Sequence, residues 1–144
     1  MENHWKSVLN SNMKCEVYSL LWTAFEMPKF SIGNVLKVIT TLAKINQCKK
    51  NAEQTGKLLA YSLITDFIFK NKSVSLIGFS MGTEVIVNCL DELSRLNAFG
   101  IIQNVYFLGG AALDVEPEVW NDRLKVVAGK ITNVYSYSDI ALLS

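Results

Sequence analysis

The residues Gly78-Phe79-Ser80-Met81-Gly82 spell G-x-S-x-G and directly follow the apolar run Ser73-Val74-Ser75-Leu76-Ile77. A strand, a sharp turn and a helix in that order present a serine hydroxyl for attack on an acyl carbon. Ser80 Oγ would be the nucleophile. The following helix would aim its free N–H groups and positive dipole end at the developing oxyanion, with the Met81 N–H as the candidate donor. Gly78 and Gly82 are expected to leave space where a β-carbon would clash with strand or helix. The plainer reading of the same glycines is a tight strand-to-helix turn with no chemistry attached.

A serine hydroxyl needs a base, and the base needs an orienting carboxylate, which this fold usually supplies in the chain order serine, acid, histidine. Asp139 follows the last expected strand, where the acid belongs; Asp114 is the alternative position, and a turn-capping aspartate is the structural reading of Asp139. The only histidine, His4, precedes every expected element of the sheet and is read as a solvated surface residue, not as the base. A phosphate-binding loop would need Lys and then Ser or Thr at its end, whereas Gly82 is followed by Thr83 and Glu84. Gly109-Gly110-Ala111 lacks the spacing of a dinucleotide site and is read as room beside Ser80. No motif for a metal or other cofactor is found, and Cys15, Cys48 and Cys89 have no metal-type spacing.

Elements that position Ser80 can be read from periodicity. Cys15 to Trp22 is rich in β-formers and reads as a first strand. After a loop at Pro28 and Gly33, Asn34 caps a helix to about Asn46. Following a polar break at Lys49-Lys50, Asn51 starts a second helix reaching Lys70, with Leu58, Leu59, Leu63, Ile64, Phe67 and Ile68 as a broad buried face. Ser73–Ile77 is a strand, and the helix after the elbow runs from about Met81 to Leu96 with Val85, Cys89, Leu93 and Leu96 on one stripe. Val105–Leu108 is a buried strand. Pro117 opens a helix with Trp120, Leu124 and Val127 as its core face, and Ile131–Tyr135 is the last strand. The expectation is one partial α/β domain, three-layered, with a mostly parallel sheet of about four strands. Its elbow, Gly109-Gly110 and Ser138-Asp139 gather at the carboxyl edge of the sheet.

With 144 residues, half of them hydrophobic, and a formal charge of +1, the chain can bury a core but offers no electrostatic case for nucleic acid. An odd number of unspaced cysteines favours reduced thiols and an intracellular setting. The polar, acid-containing start suits no cleaved leader, and the most apolar stretch, Leu58–Phe69, is broken by Asp66 and falls short of the ~20 residues of a membrane span.

Taken together, several segments resemble the α/β-hydrolase-like domain of the transmembrane and coiled-coil domain-containing protein family, a domain-of-unknown-function family. They are Glu16-Val17-Tyr18-Ser19-Leu20 with Trp22, Ala52 and Gly56 with Leu59-Ala60, the run Ser75–Gly82, and Val85-Ile86 with Cys89-Leu90. Downstream come Gly100-Ile101, Asn104-Val105, Leu108-Gly109, Trp120, Arg123, Val126–Lys130, Asn133, Tyr135-Ser136 and Asp139. The resemblance implies a serine-hydrolase fold with Ser80 at the nucleophile and Asp139 at the acid, in proteins tied to membranes and trafficking. It also implies truncation at both ends. Relatives carry an upstream strand whose glycine-containing turn supplies a second oxyanion donor, a histidine beyond the position of Asp139, and membrane-spanning segments.

Two functions follow. In the first, which the missing base favours, the elbow is intact but the chain is a non-catalytic structural or interaction subunit, a pseudoenzyme whose open sheet edge is covered by a protein partner. It would then be intracellular and membrane-associated through partners. In the alternative, the chain is a serine esterase or lipase-like hydrolase of an ester or lipid, completed by a longer chain or a partner.

Overall fold

The computed structural model describes residue 7 and residues 15–24, 35–110 and 117–135, with residues 35–43 described by their backbone alone. Helix α1 runs unbroken over Val35–Thr65. Lys49 and Lys50 do not interrupt it, because lysine is a good helix former and the helix holds no proline and no glycine before Gly56. Asn51, expected to cap a second helix, lies mid-helix instead. Its side-chain oxygen accepts from Gln47 Nε2 (2.9 Å) and its Nδ2 donates to the Thr23 carbonyl (3.2 Å). Past Thr65 a 3-10 turn at Phe67–Phe69 and a left-handed Asn71 (φ 60°) lead the chain into the sheet.

The sheet is parallel, in the order β1 (Val74–Phe79), β2 (Ile102–Leu108), β3 (Ile131–Val134). Helix α2 (Gly82–Arg95) joins the first two strands and α3 (Pro117–Lys125) the last two. This is the expected α/β arrangement with flanking helices. Residues 15–24, expected to begin the sheet, form no ladder. They lie along α1 instead, held by Tyr18 edge-on to Phe69 (ring centroids 5.6 Å), the Lys72–Glu16 ion pair (2.6 Å) and the bond from Asn51 to Thr23. β-forming side chains make a strand only where a neighbouring strand offers its edge. Three strands, not four, are present among the described residues.

Crossovers of one hand between strands added in one direction put their helices on one face of a sheet. Burial follows that rule. Leu76, Val105 and Phe107 point into the core with Leu90, Leu93 and Ile86, while Ile77, Phe79 and Tyr106 are exposed on the opposite face. The expected leucine-rich face of α1 is buried only in part: Leu63 lies in the core and Leu59 packs against it. Cys48, Ala52, Gly56 and Ala60 recur every fourth residue and are buried with Leu63, whereas Leu58, Ile64, Phe67 and Ile68 are exposed. Small residues win that side because α1 lies directly on the α2 backbone: a β-carbon on Gly56 would stand 2.5 Å from the Val85 carbonyl oxygen and 2.9 Å from the Cys89 nitrogen.

On α3 the inward place expected for Leu124 is taken by Arg123, and Leu124 is exposed. Arg123 grips Asp91 of α2 through Nε to Oδ1 (2.6 Å) and Nη2 to Oδ2 (2.9 Å). Its guanidinium lies 5.0 Å from the Trp120 ring centroid, and that ring meets Phe107 edge-on. Bidentate pairing together with aromatic stacking suits arginine and no other residue.

Gly56→Ala is expected to lower the free energy of urea unfolding by about 1–3 kcal/mol, although alanine is the better helix former. An unchanged or higher stability would show that α1 and α2 can part at no cost.

Candidate functional site

The turn between β1 and α2 is built by local chemistry. Ser80 sits at φ 51°, a left-handed conformation that a non-glycine residue holds at a cost of about 1–3 kcal/mol. Its backbone is bonded on both sides. The Ser80 N–H donates to the Leu108 carbonyl of β2 (2.9 Å), and the Ser80 carbonyl accepts from the Thr83 N–H (3.0 Å) and from Thr83 Oγ1 (2.6 Å). Thr83, which sequence reasoning passed over, is thus the residue that fastens the turn. The available signal was a threonine three residues after the serine, a spacing at which a hydroxyl can return to the backbone.

Gly78 performs the role expected of it. A β-carbon there would lie 2.7 Å from Ile86 Cδ1 and 2.9 Å from the Gly82 oxygen, so a side chain would push the first turn of α2 off the strand. Gly82 does not: among the described residues a β-carbon at that position meets nothing within 4 Å, and its φ is not left-handed. The expectation that both glycines relieve a clash therefore holds for Gly78 alone. Downstream, Gly109 is left-handed (φ 59°) and its N–H donates to the Val134 carbonyl (2.9 Å). A β-carbon on Gly110 would press on the Thr83 side chain at 3.0–3.2 Å. The small pair after β2 thus makes room for Thr83, which in turn holds Ser80.

The side chain of Ser80 is exposed, and its Oγ has no hydrogen-bond partner among the described residues. Met81 is half-buried in αR conformation (φ −61°, ψ −16°) at the N-cap of α2. No backbone carbonyl of a described residue accepts its N–H. The turn therefore brings together an exposed hydroxyl, a free amide donor and a helix N-terminus. Asp139, Asp114, Ser138 and His4 lie outside the described residues.

Other candidate groups are placed elsewhere. Burial pushes the Cys89 thiol up to about 12, so it is protonated at neutral pH and inert. Glu92 is buried, and its hydrogen bonds to Arg95 hold its carboxyl below the usual range. That pair stays ionised and structural. No group of three or more His, Cys, Asp or Glu among the described residues is arranged to hold a metal ion. A groove of about 550 Å³ between the C-terminal half of α2 and α3, lined by Asp91, Arg95, Phe99, Asp122 and Arg123, lies at the opposite end of α2 from Ser80. No described helix is long and apolar enough to cross a membrane.

Gly78→Ala is expected to cost about 1–3 kcal/mol, and Gly82→Ala to stay within about 1 kcal/mol of the parent, by thermal or urea unfolding. Equal losses would mean that the two glycines serve the same steric purpose after all. In the folded chain Ellman's reagent is expected to modify Cys15 at pH 8 and to reach Cys48 and Cys89 only on unfolding. Rapid modification of Cys89 without unfolding would contradict its buried, neutral state.

The chain is 40% identical over 89 residues to the transmembrane and coiled-coil domain-containing protein STS1 of Oryza sativa subsp. japonica, covering 61% of this chain and 13% of that protein. It is 37% identical over 95 residues to an uncharacterized membrane protein of Caenorhabditis elegans, covering 65% and 15%. Against the probable lipase MIL1 of Saccharomyces cerevisiae it is 39% identical over 88 residues, covering 61% and 8%. The chain thus spans a small part of the length of each of these relatives. No solved structure matches it. Residues 37–143, which include the whole sheet and the turn at Ser80, match the family described as "Protein of unknown function (DUF726)", and the chain belongs to that family.

Proposed function

We propose that this chain carries the nucleophile of a serine-hydrolase-type site for a carboxylic ester, with Ser80 as nucleophile, the Met81 N–H as one oxyanion donor and Asp139 as the acid. The observation that carries the reading is the strained backbone of Ser80: an exposed serine held at φ 51° at a helix N-terminus is costly and has no packing role to offset it. The name of one relative, a probable lipase, supports an ester of lipid type as the substrate class. In such a reaction Ser80 Oγ forms a bond to the acyl carbon, its proton passes to a base, and the carbonyl oxygen gains the negative charge that the Met81 N–H faces.

The base is the missing member. His4 is the single histidine of the 144 residues, and in our reading it does not serve. Within these residues the chain is therefore non-catalytic, and activity requires a histidine from further polypeptide or a partner. A second reading, that the chain is an interaction subunit with no chemistry of its own, is favoured by the outer edge of β1, which pairs with no strand among the described residues.

A fluorophosphonate probe separates the readings. The purified 144-residue chain is expected to hydrolyse p-nitrophenyl esters no faster than its Ser80→Ala variant. The native assembly is expected to give a Ser80 adduct, seen by mass spectrometry, that the variant lacks. No adduct in either preparation leaves the interaction subunit standing, whereas an adduct on the purified chain would assign His4 the role of base.

A further inference from the structure

The near-neutral charge of the whole chain conceals a segregation. Between Glu26 and Glu53 lie five of its 14 basic residues, Lys29, Lys37, Lys44, Lys49 and Lys50, and none of its 13 acidic ones. Lys44, Lys49 and Lys50, whose side chains are described, are exposed on α1 and hold no ion pair among the described residues. Five other cations are engaged: Lys57 holds Glu53, Lys72 holds Glu16, Arg95 holds Glu92, Arg123 holds Asp91 and Lys125 holds Asp122. Lys44 to Lys50 spans roughly 9 Å of helix, about one Debye length at physiological salt. The three ammonium groups therefore act on an approaching anion together.

Helix geometry sets this cluster beside the Ser80 turn. Gly56 lies against Val85, Asn88 and Cys89, and five residues on the Tyr61 hydroxyl accepts from Arg95 Nη2 (3.3 Å), so α1 and α2 run in the same direction. At ~1.5 Å per residue, Lys50 stands roughly 9 Å and Lys44 roughly 18 Å up α1 from Gly56, whereas α2 begins only about 7 Å up from the same contact. α1 therefore rises past the first turn of α2, and its lysines flank the carboxyl edge at which Ser80 is held. The acids of the described residues at that end do not cancel them. Glu53 is paired with Lys57, Glu84 is engaged as well, and Glu118 belongs to α3, which packs against α2 rather than α1.

We propose that Lys44, Lys49 and Lys50 form a docking site for an anionic lipid surface, and that docking there sets the Ser80 turn beside the headgroups. The negative potential of such a surface attracts clustered lysines, and each one near it adds to the affinity. Flexible four-carbon stems let the ammonium groups reach headgroup phosphates while the helix backbone stays outside the hydrocarbon. An acidic protein would satisfy the same charges, but a lipid surface also brings an ester of lipid type to a serine on the same side of the molecule. The choice of occupant thus rests on the reading of Ser80 as the nucleophile for such an ester, whereas the binding itself requires no chemistry at Ser80.

Co-sedimentation of the purified chain with phosphatidylcholine vesicles, plain or containing about 30% phosphatidylserine, tests it. The expected result is binding to the anionic vesicles at least about 10-fold tighter than to the plain ones at low salt, and its loss at about 0.5 M NaCl. Lys44→Gln with Lys49→Gln and Lys50→Gln, all at exposed positions, is expected to weaken that binding roughly 100-fold with unchanged far-UV circular dichroism. Lys70→Gln with Lys130→Gln, exposed at the amino ends of β1 and β3, is expected to leave it within about twofold. Equal binding to both vesicles, binding to neither, or equal losses in the two variants would each overturn the docking site. So would capture of the chain by polyglutamate without binding to vesicles, which would assign the lysines to an acidic protein. Ser80→Ala is expected to bind vesicles as the parent does. Vesicle binding with no fluorophosphonate adduct in the native assembly leaves the docking site standing and removes the nucleophile; an adduct without vesicle binding does the reverse.

Discussion

Helix α2 is held where backbone meets backbone, and the rest of the molecule is arranged around that constraint. On one side Gly78 of β1 lies against the first turn of α2, and on the other Gly56 of α1 lies against the second turn at Val85, Asn88 and Cys89. Neither contact admits a β-carbon. Close approach of this kind brings dispersion contacts and excludes water, but it also removes the tolerance that a side-chain interface has, because no rotamer can adjust. The buried residues of α2, among them Val85, Ile86, Cys89, Leu90 and Leu93, then fill the space between α1 and the sheet in one cluster. Arg123 completes the enclosure from the third side by holding Asp91.

The same constraint sets the geometry of the carboxyl edge. Because the first turn of α2 cannot move away from β1, the chain must reverse within Ser80 and Met81, and the reversal demands a left-handed residue. Glycine would adopt that conformation at no cost, yet serine stands there. The strain is sustained by the bonds on either side of Ser80, to Leu108 before the turn and from Thr83 after it. Gly109 and Val134 continue the pairing across the edge, so all three strand ends are tied to one another just where the helix begins. A strained residue persists only where its surroundings over-determine it, and here strand, helix and the neighbouring loop all do.

How much of this could be read in the sequence depended on how local the cause was. The helix after the turn and the stripe Val85, Cys89, Leu93 were legible because a single helix facing a single core imposes a period of 3.6. The site turn was legible for the same reason: Gly78, Ser80 and the strand before them are neighbours in the chain. The face of α1 was misread because Leu58, Ile64, Phe67 and Ile68 outweigh Ala52, Gly56 and Ala60 in hydrophobicity, while the contact was decided by how near α2 could come. Arg123 displaced Leu124 through pairing with Asp91, a residue 32 positions away that periodicity cannot reveal. Cys15–Trp22 has the composition of a strand without the edge that would make it one, and the roles assigned to Asp139 and Gly82 separate along the same line. Asp139 was assigned from chain order and resemblance and lies outside the described residues, whereas Gly82 was assigned a steric purpose that a measured space could test.

These causes explain why the position of the proposed nucleophile and the capacity to use it are separable in this chain. Everything that places Ser80 is found between Val74 and Gly110: the strand, the left-handed turn, the bonds to Leu108 and Thr83, and the helix at whose start the Met81 N–H meets no carbonyl of a described residue. A base has no such local origin, since it must approach from outside the turn on a segment that packs over the carboxyl edge. A fold can therefore keep the strained serine intact as a consequence of how tightly α2 sits on β1, whether or not a histidine arrives. Thr83→Val, which deletes the hydroxyl bonded to the Ser80 carbonyl while keeping the volume beside Gly110, weakens the support of the strain without touching the Ser80 hydroxyl, so position and the proposed reactivity need not change together.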